Sequence, residues 1–141
     1  MDPDLLARIR RSYAIYNDGP GVWRGDYDDF YASLFSPDAE LIVPQIYPDM
    51  EPVYIGIEGL KRQRERLDEI WEDLHWEPER FIEGNEVVLV LLTLSGTSRQ
   101  MRADVSAPAA HVWRLRDDRV KRLEVFLDRD EAFAAAGLDP E

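Results

Sequence analysis

Three side chains suited to acid–base or hydrogen-bond chemistry stand in apolar surroundings, and the first is a histidine. His111 is one of only two histidines in the chain. It alternates with Trp113 and Leu115, so the three side chains share one face of a predicted strand. Imidazole titrates near neutral pH and can serve as acid or base with little tuning. We predict that His111 is a catalytic residue in a pocket. The alternative is a core histidine bonded to a carbonyl or a tyrosine.

Tyr13 and Tyr16 are the other two candidate catalytic residues. The spacing of Leu6, Ile9, Tyr13 and Tyr16 places them on one face of a helix over about residues 4–17. Each buried phenol needs a hydrogen-bond partner. One hydroxyl could point into the pocket and orient a carbonyl or phenolate, as general acid or oxyanion donor. The alternative is that both tyrosines are amphipathic core residues.

The residue opposite His111 depends on the turn that follows it. A two-residue turn at Asp117 and Asp118 pairs His111 with Glu124, which would raise the imidazole pKa by favouring the charged form. A three-residue turn pairs it with Leu123, and burial then lowers the pKa. The second register is preferred, because it brings the apolar face of the last strand against the face that carries His111.

The predicted pocket lies between the sheet and the first helix. Its wall is made of aromatic and aliphatic groups, which suit a planar or polycyclic ligand. The predicted ligand-binding residues are Trp23, Tyr54, Trp113, Leu123, Val125, Leu127 and Asp128. Asp128 also has N-cap spacing to Glu131, which is the favoured explanation for it. The sequence leaves open whether Asp104 and Glu124 reach the pocket.

The elements that must position these residues follow from apolar periodicity and turn signals. Predicted helices cover about 4–17, 25–36, 56–74, which is the longest, and 128–138. Predicted strands cover 39–43, 53–55, 75–85, 86–98, 99–116 and 119–127. The last four strands are joined at Gly84, around Gly96 and at Asp117. Helices followed by antiparallel strands predict a single α+β domain over residues 1–141, with helices on one face of a curved sheet.

The strand "VVLVLLTL" does not alternate between apolar and polar residues. Both of its faces must therefore be dry. Helices cover one face, and a partner subunit is the predicted cover of the other, which predicts a homodimer through the sheet. The alternative is that loops or the terminal helix shield it.

Composition excludes several classes of function. The net charge of -12 over 141 residues argues against nucleic acid and anionic membranes as partners. With no cysteine and two histidines there is no metal-ligand motif, and no cofactor fingerprint is present. The start of the chain lacks the apolar segment of a secretion signal, and a cytoplasmic location is expected. The cationic residues Lys61, Arg62, Arg64 and Arg66 are expected on a solvated helix face.

Four segments in order carry a family resemblance: "YAIYNDG", "GDYDDFYASLFSPDAELIVP", "YIGIEGLKRQRERL" and "AHVWRLRDDRVKRLEVFLD". Over nearly its whole length the chain resembles the nuclear transport factor 2-like superfamily, and within it the SnoaL-like polyketide cyclase and ketosteroid isomerase group. The resemblance implies a cone-shaped, cystatin-like α+β fold in which a bent mixed or antiparallel sheet wraps the first and long helices around a deep apolar pocket. Many such proteins are dimers.

The resemblance also implies site positions. The protonated acid that ketosteroid isomerases carry on the penultimate strand falls on His111 or Ala110, depending on the alignment. Their carboxylate base falls on Val43, and their helix tyrosine falls on Ser12 or Tyr13. Without that base, steroid isomerisation is not expected. In SnoaL-like cyclases an acid ends the last strand, where this chain has Asp128.

The expected function is binding of a small, largely apolar, in some cases cyclic molecule. If the protein is an enzyme, it runs cofactor-free acid–base chemistry beside a carbonyl, such as cyclisation, isomerisation or dehydration. His111 would move the proton, and Tyr13 or Tyr16 would hold the oxygen. The alternative is a ligand-binding or dimerisation domain without chemistry. Epoxide hydrolysis is not expected, because the two acids bracketing an arginine that it needs are missing.

Overall fold

The architecture is described by a computed structural model for residues 3–18, 25–44 and 52–140. Its helices and strands in chain order are α1 (Pro3–Asp18), α2 (Gly25–Leu34), β1 (Phe35–Ile42), β2 (Val53–Ile55), α3 (Gly56–Ile70), β3 (Trp71–Gly84), β4 (Val87–Ser98), β5 (Ala103–Arg116), β6 (Arg119–Phe126) and α4 (Arg129–Ala136). The predicted α+β class is confirmed.

The six strands form one curved, unclosed sheet in the order β2-β1-β6-β5-β4-β3. β1 runs parallel to β6, and the other neighbours are antiparallel, so the sheet is mixed. α1 packs on β3, and α3 packs on β1, β2 and β3. The main core fills the space between these helices and the sheet.

The third helix ends earlier than its apolar stripe predicts. α3 has 15 residues and stops at Ile70, so it is shorter than α1 with 16. Trp71 and Leu74, which continue the predicted stripe, are buried residues of β3. Asp73 lies in a bulge of the β3–β4 ladder and has a φ of 51. A bulge adds one residue to a strand. The extra residue gives Trp71 and Leu74 the three-residue spacing of a helix face, which is why the predicted helix end at residue 74 is wrong.

Gly96 lies inside β4 and not in the predicted turn. It pairs with Val105 of β5, and the turn comes later, between Ser98 and Ala103. A Cβ at Gly96 would come within 3.3 Å of Leu74 Cα. The absence of a side chain at Gly96 therefore allows β3 to approach β4 closely at the bulge, as is common for glycine inside a strand.

The β5–β6 turn has two residues, Asp117 and Asp118, and is flanked by the paired Arg116 and Arg119. Both aspartates have positive φ, of 54 and 62. This is the backbone of a type I′ hairpin, which aspartate tolerates better than most side chains do. The predicted position of the turn is confirmed, but the preferred three-residue turn, which included Arg116, is wrong, because Arg116 pairs with Arg119.

Beside this turn the β5–β6 ladder shifts by one residue, at Lys121. The shift places His111 opposite Val125. Both predicted partners, Glu124 and Leu123, are therefore wrong, because a bulge adds one residue to the count from the turn.

The second face of the sheet is covered by α4. Val88 and Val90 belong to the main core. Val87 and Leu89, on the opposite face of the same strand, pack in a second core with Phe133 of α4. The dry second face of β4 therefore needs no partner subunit where α4 lies on it, and the argument that predicted a dimer no longer holds there.

Two arginines anchor α4 to the sheet. Nη2 of Arg129 donates to the carbonyl of Leu92 at 2.8 Å and to Glu79 Oε1 at 2.6 Å. Nη2 of Arg114 donates to the carbonyl of Ala135 at 2.7 Å. The last carbonyls of a helix lack intrahelical partners, so Arg114 supplies one of the missing donors. The helix is thus held near both ends.

Asp128 caps α4. Its side chain accepts a hydrogen bond from the backbone N–H of Glu131 at 3.2 Å, and Gly137 ends the helix with a left-handed conformation, at φ 71. The cap predicted from the sequence is confirmed.

We expect Asp128→Ala to lower the free energy of unfolding by about 1 kcal/mol, because one of the first helical N–H groups loses its acceptor. Asp128→Asn is the matched control and should retain most of the stability, since its amide oxygen also accepts. Urea denaturation of the three proteins measures this. Equal stability of the Ala variant and the wild type would contradict the capping role.

Candidate functional site

His111 lies in the middle of β5, on the face that packs against the helices. It pairs with Val90 on one side and Val125 on the other. Its side chain is only 6% exposed, and it shares the face of Trp113 as predicted. A titratable ring is therefore held deep in the main core.

A hydrogen-bond chain links this ring to α1. The hydroxyl of Tyr13 lies 2.6 Å from Nδ1 of His111, and the indole N–H of Trp113 donates to the same hydroxyl at 2.9 Å. The Tyr13 and His111 rings stack with an interplanar angle of 15 and centroids 5.6 Å apart. The three aromatic side chains thus form one bonded unit.

The direction of this chain follows from donor counting. Indole nitrogen can only donate, so the Tyr13 oxygen accepts from Trp113. If His111 also donated to that oxygen, the buried phenolic proton would lack an acceptor, which costs about 1–3 kcal/mol. We therefore assign the phenolic proton to the bond with Nδ1. The neutral imidazole then carries its own proton on Nε2.

The Nε2 atom of His111 is buried and has no hydrogen-bond partner in residues 3–18, 25–44 and 52–140. Buried polar groups are nearly always bonded in folded proteins. The tautomer assigned above makes this atom an unsatisfied donor. A group that supplies an acceptor here would gain the full value of the bond.

Burial keeps both members of the His111–Tyr13 pair neutral. Desolvation lowers the pKa of His111 from 6.5 to about 3. Burial also raises the pKa of Tyr13 far above its usual 10.0, and the bond from Trp113 offsets only part of this. Neither group exchanges a proton readily near neutral pH. The expectation that His111 moves the proton is not favoured by these surroundings.

Tyr16 follows Tyr13 on the same helix face. Its hydroxyl is buried and lacks a hydrogen-bond partner within the described part of the chain. Burial raises the pKa of Tyr16, an effect partly opposed by a polar contact with the Trp76 side chain, which falls short of hydrogen-bond geometry, and by the positive charge of Arg64. The Trp76 ring contacts both Tyr16, at 6.2 Å between centroids, and His111, at 4.9 Å. The two unsatisfied groups therefore flank one indole.

A cavity of about 80 Å³ opens beside these groups. It holds several times the roughly 15 Å³ that a water molecule needs, but less than the 300 Å³ at the low end for drug-sized ligands. A molecule of a few heavy atoms fits, whereas a polycyclic one would require the wall to move. The predicted site residues on its wall are Tyr13, Tyr16, His111, Trp113, Leu123 and Val125.

The other predicted site residues lie elsewhere. Leu127 borders a smaller neighbouring cavity. Tyr54 is 1% exposed in the core and lines neither cavity, and Asp128 caps α4. Trp23 lies outside the described residues.

The two acids whose position was left open lie outside the cavity. Glu124 pairs with Val112 and binds Arg114 at 2.5 Å. Asp104 is exposed and accepts a hydrogen bond from Thr97 at 2.8 Å. Neither carboxylate belongs to the wall.

Arg64 corrects the interpretation of the basic cluster as a purely solvated face. Its side chain lies on the cavity wall, and the residue is 5% exposed. Nη2 donates to the carbonyl of Tyr16 at 3.0 Å, and the guanidinium lies 4.3 Å from the centroid of the Tyr16 ring. This places one cationic group over the Tyr16 ring at the cavity wall.

Sequence reasoning also missed Gln63 as a wall residue. A signal for both polar residues was present, because Leu60, Gln63, Arg64 and Leu67 have the spacing of one buried helix face. Polar side chains at positions where the period requires apolar ones are candidates for a site.

No three His, Asp or Glu side chains come together so as to hold a metal ion in the residues that the structure describes. None of the helices within those ranges has the length and apolar character needed to cross a bilayer.

Comparison with protein families identifies the fold. The sequence model of the SnoaL-like domain family matches residues 9–123. The chain belongs to this SnoaL-like family. Among curated proteins, no sequence matches it.

Solved structures agree with the SnoaL-like assignment. TerC co-crystallised with polyporic acid is 21% identical, with a TM-score of 0.73 over 94% of this chain and 98% of TerC. A nuclear transport factor 2-like protein of unknown function from Burkholderia pseudomallei is 19% identical, with a TM-score of 0.74 over 92% and 95%. A protein with a ketosteroid isomerase-like fold from Catenulispora acidiphila, in complex with trimethylamine, is 15% identical, with a TM-score of 0.66 over 99% and 96%. At these identities the likeness concerns the fold alone.

The geometry separates the alternatives that the SnoaL-like resemblance left open. His111 faces the cavity, whereas Ala110 lies in the second core under α4. Tyr13 bonds His111, whereas the hydroxyl of Ser12 donates to the carbonyl of Ile9 at 2.6 Å. His111 and Tyr13 are therefore the pair with the geometry of a polar site in this SnoaL-like protein.

We expect Tyr13→Phe to lower the free energy of unfolding by about 1–3 kcal/mol, because the Trp113 N–H and His111 Nδ1 both lose their partner. Tyr16→Phe is the matched control and should lose less stability, since its hydroxyl makes no contact of good hydrogen-bond geometry in the described residues. Urea denaturation gives both values. Equal losses in the two variants would contradict the bonded chain.

The depressed pKa of His111 predicts a pH-dependent stability. The unfolded chain binds a proton near pH 6.5 and the folded one near pH 3, so this contribution is complete above about pH 6.5 and declines as the pH falls. The stability of wild type relative to His111→Gln should drop by about 2 kcal/mol between about pH 7 and pH 5. The variant retains the other titrating groups, so their effect cancels. A pH-independent difference would contradict a neutral buried imidazole.

Proposed function

We propose that this protein binds a small, largely apolar molecule with one hydrogen-bond acceptor, such as a carbonyl oxygen, in the cavity between α1, α3 and the sheet. One observation carries the proposal. His111 lines that cavity, and its buried Nε2 atom has no partner in the described residues. An acceptor on a ligand would satisfy it.

The wall favours a ligand of this kind. Most of it is aromatic or aliphatic, including Phe35, Leu41 and Leu123. Its polar residues are Ser12, Tyr13, Tyr16, Gln63, Arg64 and His111. Of these, His111 Nε2 and the Tyr16 hydroxyl are buried without a hydrogen-bond partner in the described residues. Apolar walls with a few convergent polar groups are the usual form of small-molecule sites.

Binding is better supported than proton transfer. Of the described residues, none that lines the cavity is a carboxylate. The imidazole is neutral, and its pKa of about 3 makes it a weak base. A neutral N–H can hold or polarise a carbonyl oxygen, but proton abstraction would need a base that this wall lacks.

Proteins of the same fold support a small-molecule role. TerC was co-crystallised with polyporic acid, and the Catenulispora acidiphila protein was solved in complex with trimethylamine. Homodimerisation and a cytoplasmic location stay predictions from the sequence.

Cyclopentanone and cyclopentane form a matched pair of probes that differ in the carbonyl. We expect the wild type to bind the ketone more tightly, and His111→Leu to lose about tenfold or more in ketone affinity, as expected for a buried hydrogen bond. Affinity for the hydrocarbon should not fall. Ligand-observed NMR titration measures both probes.

Two further variants complete the experiment. His111→Gln keeps a donor and an acceptor and should retain most of the ketone affinity. His75→Gln changes the other histidine, which lies outside the cavity wall, and should bind both probes like the wild type. If the wild type shows no preference for the ketone, the proposal fails.

A further inference from the structure

A second cavity of about 20 Å³ adjoins the first. Its wall is largely apolar and includes Val43, Leu74, Leu94 and Leu127. Trp71 also lines it, and the buried indole N–H of Trp71 has no partner within the described residues. This second space thus combines apolar walls with an unsatisfied donor, as the first does.

Three side chains are common to the walls of both cavities: Gln63, Trp76 and Val125. They form the partition between the two spaces. Whether the cavities act as one site depends on whether any of these side chains can move.

Trp76 and Val125 are fixed. The backbone N–H of Trp76 donates to Asn17 Oδ1 at 2.9 Å, and its carbonyl accepts from Asn17 Nδ2 at 3.0 Å. Its ring packs against His111 and Tyr16. Val125 is held in the sheet opposite His111. Moving either would disturb the core.

Gln63 differs from both because it lies on α3 and not in the sheet. It is a buried residue of that helix, and its long unbranched side chain stands between the two cavities. Shortening this side chain would therefore join the cavities without breaking the contacts that hold Trp76 and Val125.

We propose that Gln63 determines ligand length, by confining the ligand to the His111 end of a site that otherwise continues to Trp71. This rests on the proposed small-molecule function. The ligand class is a short apolar molecule with an acceptor for His111. Longer tails are excluded by the Gln63 side chain and not by the rest of the fold. A tail that passes this position meets the apolar walls and the free indole N–H of the second cavity.

The test uses methyl ketones with unbranched tails of increasing length, from butanone to nonanone. Each added methylene that becomes buried should tighten binding about fourfold. In the wild type this gain should stop once the tail reaches Gln63. In Gln63→Ala it should continue for at least two further methylenes. Calorimetric titration of each ketone locates the length at which the gain ends.

Gln63→Leu is the matched control, because it keeps the bulk and removes the amide. Its length limit should equal that of the wild type. Gln63→Ser serves as a second shortened variant if Gln63→Ala does not fold, which thermal unfolding of each protein will establish.

The outcomes distinguish the two proposals. If no methyl ketone binds the wild type or the shortened variants, the small-molecule function itself fails. If the ketones bind but the shortened variants keep the wild-type length limit, Gln63 does not set that limit. A shift of the limit in Gln63→Leu would also overturn the inference, since bulk at this position would not be the cause.

Discussion

The hydrogen-bond chain from Trp113 through Tyr13 to His111 is the interaction on which the site depends. It joins α1 to β5 across sequence separations of 98 and 100 residues. It fixes the distance and the rotation of α1 over the sheet, because a hydrogen bond weakens steeply when its length or angle changes. The same contact orients Tyr16 further along the helix. The cavity is the space that remains once this spacing is set.

The chain also decides the chemistry of the cavity. A buried ion pair would bring a large desolvation cost, whereas these three groups are neutral and satisfy one another. Within the described residues, the one polar group of the imidazole that lacks a partner is its Nε2 N–H. The protein carries a net charge of -12, yet the described wall includes Arg64 and no carboxylate. The interior therefore favours acceptor atoms, although the molecule as a whole is acidic.

The alternation of side chains along a strand was enough to predict the face that carries His111. The strand partners and one helix end could not be predicted, because they depend on bulges. Alternation alone placed His111 and Trp113 on one face, because a period of two needs no knowledge of the neighbouring strand. The partner of His111 depended on the bulge at Lys121, which has no clear local signal. The bulge at Asp73 likewise converted a strand into an apparent helical stripe. Burial of Arg64 depended on its contacts with Tyr16 of α1, which charge patterning does not reveal.

One face of the sheet packs in the main core and borders the cavity, and the other face packs against α4. Strands β4 and β5 contribute side chains to both faces. Leu92 lies in the main core, while its carbonyl accepts from Arg129 of α4. The side chain of His111 faces the cavity, while its neighbour Val112 lies in the core under α4. A strand that is apolar on both faces therefore does not imply a subunit interface, since a terminal helix of the same chain can cover one of them. α4 packs on the face of these strands that lies opposite the cavity. The imidazole is therefore held by the strand backbone on one side and by Tyr13 on the other. Such double support would position an unsatisfied donor accurately enough for the proposed ligand binding.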